Sequence, residues 1–395
     1  MSGRSRRFLM HGAVLLLAAA THAVAAQRSA AATAADDWQV ATPAQVGMQA
    51  GVLEGLDAAV RAGKLSNLHA VVVVRDGKLV FERYYTGADE RWTVPLGQVQ
   101  FGPDVKHDLR STSKSLVGLL YGIALDAGKV AAPDQPLLAQ FPAYQDLQAD
   151  PLRRKLKIEH VLSMTLGTEW HEDLPYTDPR NSEVAMYRAP NAARYVIEQR
   201  MAVEPGTRWQ YSGGATAVLG QLIAQGTGMP LEQYARQKLF LPLGITDAEW
   251  IGGSNGVVAA ASGARLRARD LAKIGQLVLN GGRWGERQVV PAAWIETSLQ
   301  PHAQPPPMSD IGEFGYGYHW GLVQLKGSGQ RWIFAPGNGG QRLMIVPQER
   351  LVVAIFAGNY NQPTQSDVPD GVISQFVIPA LAAADRSNKQ TGGER

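Results

Sequence analysis

Apolar positions along the chain follow two kinds of spacing. From Gly51 to Ala62 they recur at helical intervals (Val52, Leu53, Leu56, Ala59, Val60), which predicts a helix. His69 to Val74 is a nearly continuous apolar run, Asp76-Gly77 is a strong turn pair, and Leu79 to Tyr85 returns, so a two-stranded hairpin is expected. Mixed polar residues from Thr86 to Leu109 read as a loop. Beyond Ser111, the residues Leu116, Leu119, Leu120, Ile123 and Ala124 keep helical period as far as Gly128.

Residues 130–255 are dense in proline, glycine and aromatic residues, with short helical segments at 158–164, 190–201 and 214–226. This stretch reads as a helical subdomain inserted into the core. Arg269 to Leu279 and Pro291 to Leu299 predict further helices. His319 to Leu325 reads as a strand closed by Gly327-Ser328-Gly329, and Arg331 to Phe334, Gln341 to Val346 and Leu351 to Phe356 read as three more, with Pro347 to Arg350 turning between the last two. Asp370 to Ala383 closes the pattern as an amphipathic helix. The expected class is α+β: an antiparallel sheet built from N- and C-terminal strands and flanked by helices, with the helical subdomain beside it.

Composition narrows the chemistry. At 395 residues and 45% hydrophobic content the chain can bury a large core, and it has no cysteine. Disulfides, thiolate metal sites, iron–sulfur clusters and a cysteine nucleophile are therefore excluded. Arg4, Arg6 and Arg7 precede an apolar run (Phe8 to Met10, then Ala13 to Ala20) and a small-residue stretch, Ala23-Val24-Ala25. That layout is expected of a secretory signal over residues 1–25, followed by a linker over 26–44, and it places the protein in the periplasm or outside the cell. The apolar run is short for a membrane anchor and is broken by His11-Gly12. Either general secretion or twin-arginine export fits Arg6-Arg7. Without residues 1–25 the chain keeps 35 of its 38 basic residues against 35 acidic ones, a balance that argues against nucleic acid or an anionic membrane as partner.

Candidate chemistry begins at Ser111-Thr112-Ser113-Lys114. Positions i and i+3 share a helix face, so the Lys114 amine can reach the Ser111 hydroxyl. A serine needs a neighbouring base to become a nucleophile, and a helix start offers unpaired backbone amides for a developing oxyanion. The spacing alone fits a capping serine and a solvated lysine better than a reaction centre. Tyr211-Ser212-Gly213 lies about a hundred residues on, and a tyrosine beside a lysine can relay a proton. Ala335-Pro336-Gly337-Asn338-Gly339-Gly340-Gln341 is a glycine-rich loop after a strand, able to offer a second backbone donor.

With these three elements in this order, the chain resembles the serine hydrolases of the β-lactamase and penicillin-binding-protein fold. The likeness is to the branch of class C-like β-lactamase-related esterases and 6-aminohexanoate-dimer hydrolases. It covers about residues 45 to 385 and is supported by Ile158 to Gly167 with Glu169-Trp170. The resemblance implies a hydrolase domain over about 45–390, with Ser111 as acylated nucleophile, Lys114 as general base and Tyr211 as proton shuttle. It further implies an oxyanion hole from the amides of Ser111 and Asn338, and a substrate pocket lined by Trp170, Gly213 and Gly337. The sequence departs from the family pattern twice. Gly213 stands where asparagine is common, and Ala335-Pro336-Gly337 lacks the basic residue that would bind a lactam carboxylate.

Gly252-Gly253-Ser254-Asn255-Gly256 matches a nucleophile elbow, but no β-branched run precedes it. Glu159 to Ser163 reads as plain amphipathic helix. His171-Glu172-Asp173 has no second histidine at ligand spacing and reads as a solvated loop. The expectation is thus an exported serine hydrolase acting on a small-molecule ester or amide, needing no metal or cofactor. Carboxylesterase comes first, β-lactamase or amide-oligomer hydrolase second, and a non-catalytic penicillin-binding-protein-like binder is the competing class.

Overall fold

The computed structural model describes residues 38–252, 257–307 and 309–382. The segment expected to be a signal, most of the expected linker, and Ser254 of the elbow-like motif lie outside the described residues.

Seven antiparallel strands form the main sheet. In chain order they are β1 (Leu68–Arg75), β2 (Lys78–Tyr84), β3 (Gly312–Tyr316), β4 (Gly321–Leu325), β5 (Arg331–Gly337), β6 (Gln341–Val346) and β7 (Leu351–Ala357). Their spatial order is β3-β4-β5-β6-β7-β1-β2, so the two ends of the chain meet where β7 pairs with β1. That seam pairs Val73 with Val353 and Val71 with Ile355. Every residue of β7 is buried, because helices cover both faces, and this is why its sequence is a continuous apolar run rather than an alternation.

Helix α1 (Ala50–Arg61) buries Leu53, Leu56 and Ala59 against one face, in a cluster with Val71, Val73, Ile355 and the C-terminal Val372. The other face carries Ala268–Leu279, whose Gly275 sits so close to the sheet that an added Cβ would lie 2.4 Å from Val352. The expected C-terminal helix is two α-helical pieces, Asp367–Val372 and Ile378–Ala382, joined by a wider π turn over Ile373–Val377.

Helix α2 (Ser113–Asp126) runs beside the sheet and is almost wholly buried. It contacts α4 (Gly213–Thr227), and α3 (Ser182–Arg188) packs nearby. Gly122 of α2 admits the Trp294 ring, since a Cβ there would lie 2.0 Å from Trp294 Cδ1. Between residues 130 and 252 the elements are mostly short helices, including Ile158–Leu162, Ala192–Glu198 and Leu231–Ala235, plus the short strand Glu249–Trp250.

Two expectations are corrected. The stretch Thr86 to Leu109 is not a loop: Thr86–Arg91 and Val94–Gln100 form a hairpin, and His107–Asp108 pairs with Ala264–Leu266. Trp92 and Thr93 make the hairpin turn with positive φ, and most of the second strand is exposed, so no apolar alternation marks it. The strand expected from His319 begins at Gly321, because His319 takes φ of 63° and turns its ring inward. Strand β3 lies in a stretch the sequence pattern leaves unassigned, its Gly-Glu-Phe-Gly-Tyr sequence being weak in strand formers.

Candidate active site

Ser111 sits in a single 3-10 turn, Arg110–Thr112, that leads directly into α2. Arg110 before it adopts φ of 49°, a left-handed conformation that costs a non-glycine residue energy. It is held there by Glu90 at 2.5 Å, by Asp108 at 3.3 Å, and by stacking of its guanidinium 4.7 Å from the Tyr360 ring centre. The turn is also pinned to the sheet. Thr112 Oγ1 donates to the Ala335 carbonyl at 3.1 Å, and Gly337 lies so close that a Cβ would fall 2.3 Å from the Leu109 carbonyl oxygen. Gly337, the first glycine of the glycine-rich loop, is therefore a contact glycine that seats β5 against the nucleophile turn.

One helical turn on, Lys114 is 2% exposed and its Nζ donates to Ser111 Oγ at 2.9 Å and to the Ala261 carbonyl at 3.3 Å. Its ammonium lies 4.9 Å from the centre of the Tyr211 ring, and Tyr211 lines the same cavity as Ser111 and Lys114. Tyr211 is delivered by the start of α4, where Ser212 caps the helix by accepting from the Ala215 amide at 3.2 Å. The serine of the second motif thus has a local structural role. Burial alone would lower the Lys114 pKa, but Tyr211 and the carboxyls of Glu183 and Glu172 outweigh it and hold the amine well above its ordinary range. Burial likewise raises the Tyr211 phenol. These surroundings favour an ammonium beside a neutral phenol, and a charged amine has no lone pair to accept the Ser111 proton.

Asn338 lines the same cavity as Ser111, and its side chain exchanges two 2.8 Å hydrogen bonds with Asn361. Among the described residues, neither the Ser111 amide nor the Asn338 amide donates to a protein acceptor. Both are available to an oxyanion.

Two cavities meet at Ser111. One, about 200 Å³, is walled by Trp209, Tyr211, Phe314, Tyr316 and Phe334 and is almost wholly apolar. The other, about 250 Å³, carries more polar groups, with Trp92, Arg110, Glu183, Tyr187 and Asn338 on its walls. A larger cavity of about 590 Å³ between α3 and α4 contains neither Ser111 nor Lys114. His319, at the floor of the apolar cavity, donates from Nδ1 to the Leu162 carbonyl at 3.0 Å and faces Thr216 Oγ1 at 3.1 Å. Burial and the Lys114 charge push it down to about 3, so it is neutral.

Trp170 lines neither of the two cavities that meet at Ser111. It is 2% exposed, packs under Gly214, and its indole donates to Glu172 Oε2 at 2.8 Å. The solvated-loop expectation for His171-Glu172-Asp173 is corrected at its middle residue. His171 and Asp173 are exposed, but the Glu172 carboxyl turns inward and accepts from the Gly213 amide at 2.5 Å. Sequence reasoning also passed over Glu183 and Arg110, neither of which carries a motif of its own. Among the described residues one group has the donors to hold a metal: buried His69, Asp89 and His107. Its ring nitrogens already pair with each other at 2.9 Å, with Asn67 and with the Asp108 carbonyl, and Asp89 accepts from Tyr360.

Among curated proteins the chain is 27% identical to 6-aminohexanoate-dimer hydrolase of Paenarthrobacter ureafaciens over 241 residues, covering 58% of this chain and 56% of that one. It is 25% identical to Esterase EstB of Burkholderia gladioli over 204 residues, covering 49% and 50%. The chain spans about half the length of the curated relatives it matches. Among solved structures, EstCE1, a hydrolase with promiscuous acyltransferase activity, superposes with a TM-score of 0.64 at 17% identity over 86% of this chain and 98% of that one, a likeness of fold. The Beta-lactamase family model matches residues 66–372, and the nucleophile turn, the second motif and the glycine loop all fall inside that span, so the chain belongs to the beta-lactamase family of serine hydrolases.

Proposed function

We propose that the protein cleaves carboxylic esters through an acyl-enzyme on Ser111, taking small-molecule esters with an apolar acyl group. The observation that carries this reading is the 2.9 Å bond between Lys114 and Ser111 at an apolar, aromatic-walled cavity. The third motif offers only Ala335-Pro336-Gly337 where a carboxylate-binding cation would be needed. Arg110 is already engaged by Glu90 and Asp108, and Arg188 is exposed.

The steps follow from the resting charges. Ser111 Oγ bonds to the carbonyl carbon while its proton passes to Tyr211 Oη, and the Tyr211 proton passes to the leaving oxygen as the ester C–O bond breaks. Lys114 stays charged and polarises the hydroxyl and the phenol. The carbonyl oxygen gathers negative charge against the amides of Ser111 and Asn338. Losing one such donor costs on the order of 10²–10³ in rate. Water then attacks the acyl carbon, gives its proton to Tyr211, and Tyr211 restores the Ser111 hydroxyl.

Hydrolysis of an amide oligomer is the second reading, supported by the similarity to 6-aminohexanoate-dimer hydrolase. A fluorophosphonate probe with mass mapping tests the nucleophile: label on Ser111, lost in Ser111→Ala, is expected, whereas an unlabelled folded protein favours a non-catalytic binder. p-Nitrophenyl butyrate and nitrocefin assayed together test the class, and faster nitrocefin turnover overturns the ester preference.

A further inference from the structure

Glycine ends the second motif, and the structure shows what fills the volume a side chain there would take. A Cβ on Gly213 would lie 2.7 Å from Cδ of Glu183 and 2.8 and 3.1 Å from its two carboxyl oxygens. An asparagine at 213 would therefore meet that carboxyl. Glu183 projects from α3, is 2% exposed, and accepts at Oε1 from Tyr187 Oη at 3.1 Å and Ser262 Oγ at 3.3 Å. It is anchored and not free to swing aside. A second carboxyl meets the same glycine through its amide: Glu172 Oε2 accepts from Gly213 N and from Trp170 Nε1. The two carboxyls thus crowd one glycine, one against its Cα and one on its amide. Two carboxylates this close repel each other, and a proton shared between them removes one of the two charges.

We propose that Glu172 and Glu183 are a proton-sharing acid pair that replaces the asparagine side chain at position 213 and positions the Ser111–Lys114–Tyr211 centre. This rests on the Ser111 acyl-enzyme reading. With one proton the pair carries one negative charge, which balances the Lys114 ammonium. The remaining titratable groups that face it are Tyr211 ahead of α4, Tyr176 in the loop after Trp170, and Tyr187 on α3. Burial raises all three, so they stay neutral phenols. Arg110 and Arg188 lie on the same cavity.

Loss of the shared proton puts two negative charges side by side against the place where the oxyanion forms, which opposes the reaction. Burial and the neighbouring Glu183 raise Glu172 well above the usual carboxylate range. The loss therefore falls in the neutral to weakly alkaline region rather than in acid. The active form is the singly protonated pair, present below that raised value and removed as pH climbs through it.

The test is the rate of fluorophosphonate labelling at Ser111 from about pH 6 to about pH 10, in wild type and in Glu172→Gln, Glu183→Gln and Glu183→Asp. Wild type and Glu183→Asp are expected to lose about tenfold in rate across the alkaline limb, while both glutamine variants, whose amide is a permanent donor, lose less than about twofold. An unchanged limb in the glutamine variants overturns the proposal. Infrared difference spectra read the pair without any activity: the C=O stretch of a protonated carboxyl is expected at pH 7 in wild type and missing in Glu172→Gln, and its absence from wild type overturns the proposal. No labelling of folded wild type at any pH would instead sink the Ser111 reading, and the infrared band would still decide the pair. Gly213→Asn is expected to lower the melting temperature and Gly213→Asn/Glu183→Ala to recover most of the loss. Additive losses overturn the claim that both side chains need one volume.

Discussion

Gly337→Ala adds one carbon where the structure leaves no room. The new Cβ would fall 2.3 Å from the Leu109 carbonyl oxygen, a backbone atom two residues before Ser111. Ordinary contact lies at about 3.5 Å, so β5 and the nucleophile turn must separate by roughly 1 Å at this point. Nothing flexible absorbs the shift, because Arg110 is fixed by Glu90, Asp108 and Tyr360 and Thr112 is tied to Ala335. Overpacking of this kind costs about 1–3 kcal/mol in stability. The functional cost is larger, since Ser111 and Asn338 sit on opposite sides of the opened seam and a displacement near 1 Å can cost about 10² in rate. Hydrolysis of p-nitrophenyl butyrate by Gly337→Ala should therefore show kcat down by about two orders of magnitude, with KM changed far less. Thermal melting in parallel should show a variant that is folded but less stable. Wild-type kcat in Gly337→Ala would refute the view that this glycine seats the oxyanion loop on the nucleophile turn.

Lys114→Ala should abolish fluorophosphonate labelling at Ser111 in a folded protein, and Lys114→Arg should restore little, because a guanidinium cannot place one nitrogen among Ser111, Tyr211 and Ala261. Tyr211→Phe removes the relay hydroxyl and should lower kcat by about 10²–10⁴, read in the same ester assay. Tyr316→Ala opens a wall of the apolar cavity and should move ester preference toward longer acyl chains, checked with a p-nitrophenyl ester series. Stability should also depend on Glu82. Burial would raise its pKa, but hydrogen bonds from Arg269 and Tyr84 and the charges of Arg269 and Arg83 lower it overall. A lowered carboxylate contributes stability above its unfolded pKa and loses it as pH falls, so Glu82→Gln should melt below wild type at pH 7 and converge with it in acid.

Much of this molecule is determined by the chain's own patterning. The apolar runs at His69 to Val74 and Leu351 to Phe356 require strands buried on both faces, and the structure pairs them at the seam of one sheet. The i, i+3 spacing of Ser111 and Lys114 is enough to bring hydroxyl and amine together, since one turn of backbone sets that distance. What lay hidden depends on contacts between segments far apart in sequence. The hairpin Thr86–Gln100 has an exposed second strand and so leaves no period to read. Glu183 has no motif, and only the approach of α3 to the start of α4 makes its carboxyl a neighbour of Gly213. Glu172 looked solvated because its flanking residues are; its inward turn is set by Trp170 and the Gly213 amide. Charge states were equally out of reach, because the groups that raise Lys114 (Tyr211, Glu183 and Glu172) come from outside its own turn. The local sequence determined which groups could react, and packing between distant segments decided which of them hold protons, because burial and neighbouring charges act through space and not along the chain.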